Sequence, residues 1–418
     1  MKRTLRRSRS LAGACLGVAG CAALTGGAVW ADHAYPPPLE ITAGLSRQVL
    51  DRDGDLLRAY AARDGRWRLP VTLDQVDSDY LDMLVAYEDK RFYSHHGVDP
   101  LAVVRAAWQF VAHGGRIVSG GSTLTMQVAR LIEPRAERSL TAKLRQAARA
   151  LQIERRLSKR EILELYLTLA PYGGNLEGVR SASLAWFGRE PKKLTLSQSA
   201  LLVALPQSPE TRRPDRHLRT ALSARDRVLD RMRSAGLLPE FEVERAGRAK
   251  LSSVRKALPD LAPHMADRAL DADPLADTVA LSLDADLQKR LEQLADEQGH
   301  KLGRKQSLAM VLADAKSGQI LASVGSTNFL DSDRFGAIDM TIAKRSPGST
   351  LKPFIYGLAF EEGPKNRFLD GYFDIPFHEG RFFQNGRYCK KHELPNTHSL
   401  KGRGDVVPEK PSILGLLP

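Results

Sequence analysis

Cysteine is scarce in this chain of 418 residues: Cys15, Cys21 and Cys389 stand far apart, with no Cys-x-x-Cys pair and no histidine pairing. That spacing argues against a zinc site and against a disulfide framework. Repeats of solenoid length and low-complexity blocks are also missing, which sets aside solenoid and array architectures. Acidic surplus is absent too, since 62 Lys and Arg face 49 Asp and Glu and leave a net charge of +13. This excess points to anionic company, whether nucleic acid, phosphorylated lipid or a membrane surface, and does not choose among them. What is present, 43% hydrophobic and 27% charged residues, excludes a disordered polymer and suffices for the cores of about two domains.

The basic excess begins at the N-terminus. Lys2, Arg3, Arg6, Arg7 and Arg9 precede twenty uncharged residues, Leu11 to Trp30, after which Asp32, His33 and a Tyr-Pro-Pro-Pro run return to polar chain. A helix needs about 20 apolar residues to cross a bilayer, and a basic flank keeps the short end in the cytoplasm. Residues 1–10 therefore read as a cytoplasmic basic tail and 11–31 as a transmembrane signal anchor. A cleaved signal peptide ending near Ala31 and a lipoprotein processing box at Val18 to Cys21 are the alternatives. All three export the rest of the chain.

Residues 32–65 read as a linker with some β character, in which DRDGDLLRAY forms a turn between two strands. Between Asp77 and Leu238 five segments carry apolar residues at i, i+3, i+4 spacing, and glycines and prolines fall between them. This is a mainly α domain, spanning 66–238. Residues 239–277 read as a second linker. From Thr278 the texture turns α/β: LDADLQKRLEQLADEQG is a helix, and SLAMVLADAKSGQILASVG is a strand, a Ser-Gly turn and a second strand.

One helix carries an anomaly. Reading Leu81, Leu84 and Val85 as one face, the next positions at the helical period are Glu88 and Phe92. A carboxylate buried among apolar groups holds its proton more tightly, which is how proteins obtain a general acid or base near neutral pH. The plainer reading of a lone glutamate is an ion pair with an arginine or a turn cap. His95 and His96 alone read as hydrogen-bonding turn residues. Further on, Gly120 and Gly121 free the backbone, Ser122 suits an N-cap, and Thr123 and Thr125 open a helix. Hydroxyls and free amides at a helix start suit a phosphate, and Arg130 and Lys143 would add positive charge.

EDKRFYSHHG at Glu88 to Gly97, GGSTLTMQ at Gly120 to Gln127, and then KREILELYL, YGGNLEGVRSASLAWFG, ALLVALPQSPE and RDRVLDRM occur in this order. Together they resemble glycosyltransferase family 51, the lysozyme-like peptidoglycan glycosyltransferase domain of the class A penicillin-binding proteins. The Ser349-Thr350-Leu351-Lys352 stretch within PGSTLKP resembles the Ser-x-x-Lys site of penicillin-binding transpeptidases, where serine is acylated and lysine helps take its proton. The resemblance implies polymerisation of lipid II into glycan strands on the outer side of a bacterial cytoplasmic membrane. Lipid II, the nascent glycan, the membrane and other wall-synthesis proteins would be the partners, and nucleic acid would not. Glu88 would be the general base. Asp89, Phe92, His95, Ser122, Thr123, Gln127, Arg130 and Lys143 would bind substrate, with a divalent cation such as magnesium sharing the diphosphate. A lysozyme-like hydrolase and a non-catalytic scaffold that binds lipid II are the competing readings.

The chain departs from the pattern in three places. The family's second glutamate is Gln146 here, and its arginine is Ala142. Thr168 stands where asparagine is usual. Beyond Lys352 neither Ser-x-Asn nor Lys-Thr-Gly follows, and five of the thirteen phenylalanines crowd into Phe368 to Phe383. Residues 278–363 thus read as the N-terminal part of an incomplete α/β transpeptidase domain. Residues 364–418 read as an atypical tail, from a frameshifted or truncated reading frame or a divergent end. Ser349 and Lys352 are a remnant without partners on this reading. The expected outcome of a cross-linking assay with this chain is no D-alanine release and no peptide cross-links; measurable transpeptidation would refute the reading.

Overall fold

The computed structural model describes residues 32–39, 44–114, 121–134, 139–303, 305–344, 346 and 348–362, with short strands at 376–377, 381–384 and 387–390. The expected anchor at 11–31, Gly120 and most of the tail lie outside the described residues. Among those described, no helix is long and apolar enough to cross a membrane.

Helix α1, Ser78–Glu88, starts where the Asp77 carboxylate accepts the amides of Asp79 and Tyr80, a cap worth about 1 kcal/mol. Tyr80, Met83 and Leu84 are its buried residues. Helix α2, Pro100–Ala112, is capped by Asp99 and has proline in its first turn, where a missing amide costs nothing. Helices α3, Leu124–Ile132, α4, Leu140–Arg156, and α5, Lys159–Leu169, follow. Next come α6, Val179–Phe187, α7, Leu196–Ala204, the long α8, Pro214–Ser234, and α9, Glu240–Arg248. Helix α7 is the centre. Ser197 and every residue from Ser199 to Ala204 are buried, as expected of a helix packed on all sides, and α7 contacts both α1 and α8. One continuous core joins Leu84 of α1, Val128 of α3, Leu163 and Tyr166 of α5, Leu202 of α7 and Val228 of α8.

Sheets are few and short. Strands β1, Arg47–Leu50, and β2, Leu56–Tyr60, form the hairpin expected around DRDGDLLRAY. Strands β3, Trp67–Arg68, β4, Pro171–Gly173, and β5, Leu176–Glu177, make a small sheet in the order β3-β5-β4. Strand β6, Thr278–Ala280, runs parallel to β1. Helices α10, Pro263–Ala272, and α11, Ala285–Gly299, and the antiparallel hairpin of β7, Met310–Ala313, and β8, Ile320–Val324, complete the body that ends at Ile342.

Both supposed linkers are therefore folded. Val49 and Leu57 share a second core with Ala266, Leu270 and Leu283, and Val243 and Ala246 of α9 enter the main core. These elements are too short for a clear period, and their burial comes from distant partners. A separate unit begins at Ala343, in which a turn at Gly348–Leu351 runs into α12, Lys352–Glu362.

The loop between α1 and α2 has one tight point. Gly97 has φ +86°, and a Cβ there would stand 2.7 Å from the Ala150 carbonyl oxygen in α4. Gly54 has a similar φ of +88° with nothing within 4 Å. Both Gly→Ala variants incur left-handed strain of about 1–2 kcal/mol, but only Gly97→Ala adds the clash. Thermal unfolding should show Gly97→Ala markedly less stable than Gly54→Ala; equal losses would show that α4 yields at no cost.

Candidate active site

Glu88 ends α1, half-buried, and each of its carboxylate oxygens accepts one amide hydrogen. Gln127, in the first turn of α3, donates Nε2–H to Oε2 at 2.8 Å. Gln207, in the 3-10 turn Leu205–Gln207 after α7, donates Nε2–H to Oε1 at 2.8 Å. Arg212 fixes which way round that second amide sits, because its Nη1 donates to Gln207 Oε1 at 3.1 Å and leaves the NH2 group to face Glu88. The glutamate's setting is thus amides and hydroxyls, not the apolar wall that the helical period implies. Nor does Glu88 form an ion pair among the described residues.

Three tyrosines lie beside it. Tyr80 and Tyr172 share a hydrogen bond of 2.9 Å between their hydroxyls, and the buried Tyr166 hydroxyl has no hydrogen-bond partner among the described residues. Burial pushes all three well above the ordinary phenol range, and the Glu88 charge adds to the shift.

Asp89 faces inward. Its carboxylate accepts the amide of Leu124, the first residue of α3, at 2.9 Å and lies 3.0 Å from His95 Nε2. Phe92 is fully buried, with the Lys159 ammonium 4.4 Å over its ring. Thr123 is the N-cap of α3: its hydroxyl accepts the Met126 amide and donates to Gly97 O at 2.5 Å. Asp89, Phe92, His95 and Thr123 are 6% exposed or less, and the contacts described for them are with the protein around Glu88 and the start of α3. The cap is Thr123, not Ser122, and two of the α3 amides expected to be free are already taken by Asp89 and Thr123.

Ser122 is free of capping duty because Lys143 claims it. The Lys143 ammonium donates to the Ser122 hydroxyl and, at 3.4 Å, to Gln146 Oε1. Desolvation and the neighbouring Arg130 guanidinium hold Lys143 below the ordinary lysine range. Arg130 itself is exposed and makes no hydrogen bond or ion pair among the described residues. Two neighbouring cations with no counter-anion among the described residues form a seat for a multiply charged anion. Gln127, which holds Glu88, and Arg130 stand three residues apart on α3, so carboxylate and cation flank one face of that helix. The seat offers a hydroxyl, an amide and two cations, whereas hard divalent cations take carboxylate oxygens. The side chains here do not fit a protein-held magnesium.

Gln207, Arg212 and Tyr166 were not singled out from sequence, although ALLVALPQSPE contains the first. Glu154 was also missed: it accepts from Thr125 at 2.6 Å and from Lys159 at 2.7 Å, joining α3, α4 and α5 beneath the site. Thr168 turns back on its own helix, donating to Glu164 O at 2.8 Å. Ser349 and Lys352 lie in the separate C-terminal unit and are exposed.

Two segments of the chain match known protein families. Residues 53–233 match the transglycosylase family model, and residues 308–376 match that of the penicillin binding protein transpeptidase domain. Penicillin-binding protein 1C of Escherichia coli is 41% identical over 391 residues, covering 90% of this chain and 50% of that protein. Penicillin-binding protein 1F of Bacillus subtilis is 30% identical over 334 residues, covering 76% and 46% respectively. The chain spans about half the length of these curated relatives.

The cation seat is open to a direct test with inorganic pyrophosphate. Calorimetry should detect binding that Arg130→Ala or Lys143→Ala weakens by about 10-fold, the value of one charge-assisted hydrogen bond. Lys143 gives up its proton more readily than an ordinary lysine, so affinity should fall as pH rises, before the ordinary lysine range is reached. Lys143→Arg should abolish that fall, because arginine stays charged.

Proposed function

From a chain that belongs to the class A penicillin-binding proteins, we propose a peptidoglycan glycosyltransferase that joins lipid II units into glycan strands outside the bacterial cytoplasmic membrane. One observation carries this reading: the doubly amide-held Glu88 carboxylate is gripped by Gln127, one turn of α3 from Arg130, whose charge acts on Lys143, and neither cation has an ion-pair partner among the described residues. A base beside an anion seat is what transfer from a sugar diphosphate requires.

The acceptor sugar's 4-hydroxyl gives its proton to Glu88 as its oxygen attacks the anomeric carbon of the growing chain. The carbon–oxygen bond to the diphosphate breaks, and its electron pair leaves on the phosphate oxygen. Lys143, Arg130 and the Ser122 hydroxyl take up that charge where it develops. Gln127 and Gln207 keep the Glu88 oxygens aimed while the proton moves. Gln146 cannot supply a proton, but a departing diphosphate needs one less than a sugar alkoxide does. No step passes through a metal ion.

Helix α2 supports the membrane side of the reading. Leu101, Val104, Trp108 and Val111 recur at helical spacing and are 64%, 67%, 69% and 78% exposed. An apolar helix face left uncovered by the described residues suits the boundary between headgroups and acyl chains, where the lipid of the substrate resides.

Gln146 favours a second reading, a lipid II-binding scaffold without catalysis. Labelled lipid II in detergent separates the two. The parent chain should form glycan polymer, and Glu88→Gln should reduce the rate by about 10²–10⁴-fold, the share of a general base. No polymer from the parent selects the scaffold, equal polymer from the variant removes Glu88 from the chemistry, and cleavage of finished glycan would point to hydrolysis.

A further inference from the structure

Helix α1 borders a second feature, which the proposed reaction does not use. A groove of about 510 Å³ lies among α1, the start of α7, the end of α8 and α9, within the size range of ligand pockets. Its apolar lining includes Met83, Val85, Ala86, Met232, Leu237 and Leu238. Asp79, Asp82 and Glu242 also line it. None of these three side chains makes an ion pair or a hydrogen bond among the described residues.

In a chain of net charge +13, three uncompensated carboxylates against an apolar surface are out of character. Asp79 is the most affected: burial, Asp77, Asp82 and Glu242 all push its carboxyl upward. Lys90 is the one cation among the lining residues, and it lies past the other end of α1. The charge therefore runs from acidic at the first turn of α1 to basic beyond its last.

We propose that this groove binds a peptide segment of a partner protein in which apolar side chains alternate with arginine or lysine. The apolar lining takes the hydrophobic side chains, and Asp79, Asp82 and Glu242 pair with the basic ones. Anionic lipid and nucleic acid meet like charge there. A segment so bound is oriented, its most basic part toward the start of α1. It also rests against the helix that ends in Glu88. This assignment stands independently of the glycosyltransferase reading.

The test uses the full chain in detergent and two fluorescein-labelled nonapeptides, one alternating arginine with leucine, the other glutamate with leucine. Fluorescence anisotropy should show saturable binding of the arginine peptide, despite the like net charge of the protein, and weaker binding of the glutamate peptide. Asp82→Asn combined with Glu242→Gln should weaken the arginine peptide at least 10-fold. Leu237→Ser, at a position 55% exposed, should weaken it about 3-fold, with an unchanged melting temperature. Equal or better binding of the glutamate peptide, or unaltered binding by the charge variant, would overturn the proposal. So would no binding by the parent, the result expected if a second copy or the chain's own basic residues 2–9 fill the groove.

Discussion

The buried carboxylate of Asp89 is the point from which the site hangs. It holds the first amide of α3 and the ring of His95, and it directly follows Glu88 in the chain. Gln127 lies three residues beyond the amide that Asp89 grips. One side chain therefore sets the distance between the proposed base and a group that orients it. Each charge-assisted bond of this kind is worth about 1.5–3 kcal/mol, and a buried carboxylate left without partners costs more. Gly97 and Thr123 complete the clasp, the first by letting the loop touch α4, the second by bonding that loop to the cap of α3. The buried motif residues are thus the ones that place the half-buried and exposed ones, Glu88, Gln127 and Arg130.

Charge in the site is kept apart on purpose-built supports. Glu88 is satisfied by neutral amides, and Lys143 and Arg130 have no carboxylate partner among the described residues. Had Glu88 paired with either cation, base and anion seat would have neutralised each other. The substitution of Gln146 for the family's glutamate continues the pattern, since it leaves Lys143 with an amide contact in place of an ion pair.

How much of this could be read beforehand depends on the distance over which each feature is specified. The helical domain, the hairpin around DRDGDLLRAY and the strand pair around Ser317-Gly318 are local patterns, and the structure has them where periodicity and turn chemistry predict. Glu88 stood out because its neighbours in α1 define a face. The environment of that face was misread, since its polar lining comes from Gln207, 119 residues away. Ser122 and Thr123 both suit a cap by composition, and they differ in distant partners: Thr123 bonds Gly97 O, and Ser122 takes the bond from Lys143. The first segment read as a linker is tied down by β6, which pairs Thr278 with Gln48 across 230 residues, and the second by Val243 and Ala246 in the main core and Ala266 and Leu270 in the other.

That parallel pairing of β1 and β6 has a mechanical side. Chain entering from the N-terminal direction reaches β1 at its start, and chain leaving toward the C-terminal direction departs from β6 at its end. Tension between these two points would load the ladder along the strands, so that its hydrogen bonds resist together instead of opening one after another. Arg47 reinforces the joint with hydrogen bonds to the carbonyls of Leu270, Asp273 and Ala276. A pull on the chain thus meets two supports in turn: the bonds from Arg149 and Arg156 of α4 to Tyr35 O and Asp32, and then this short clamp of backbone.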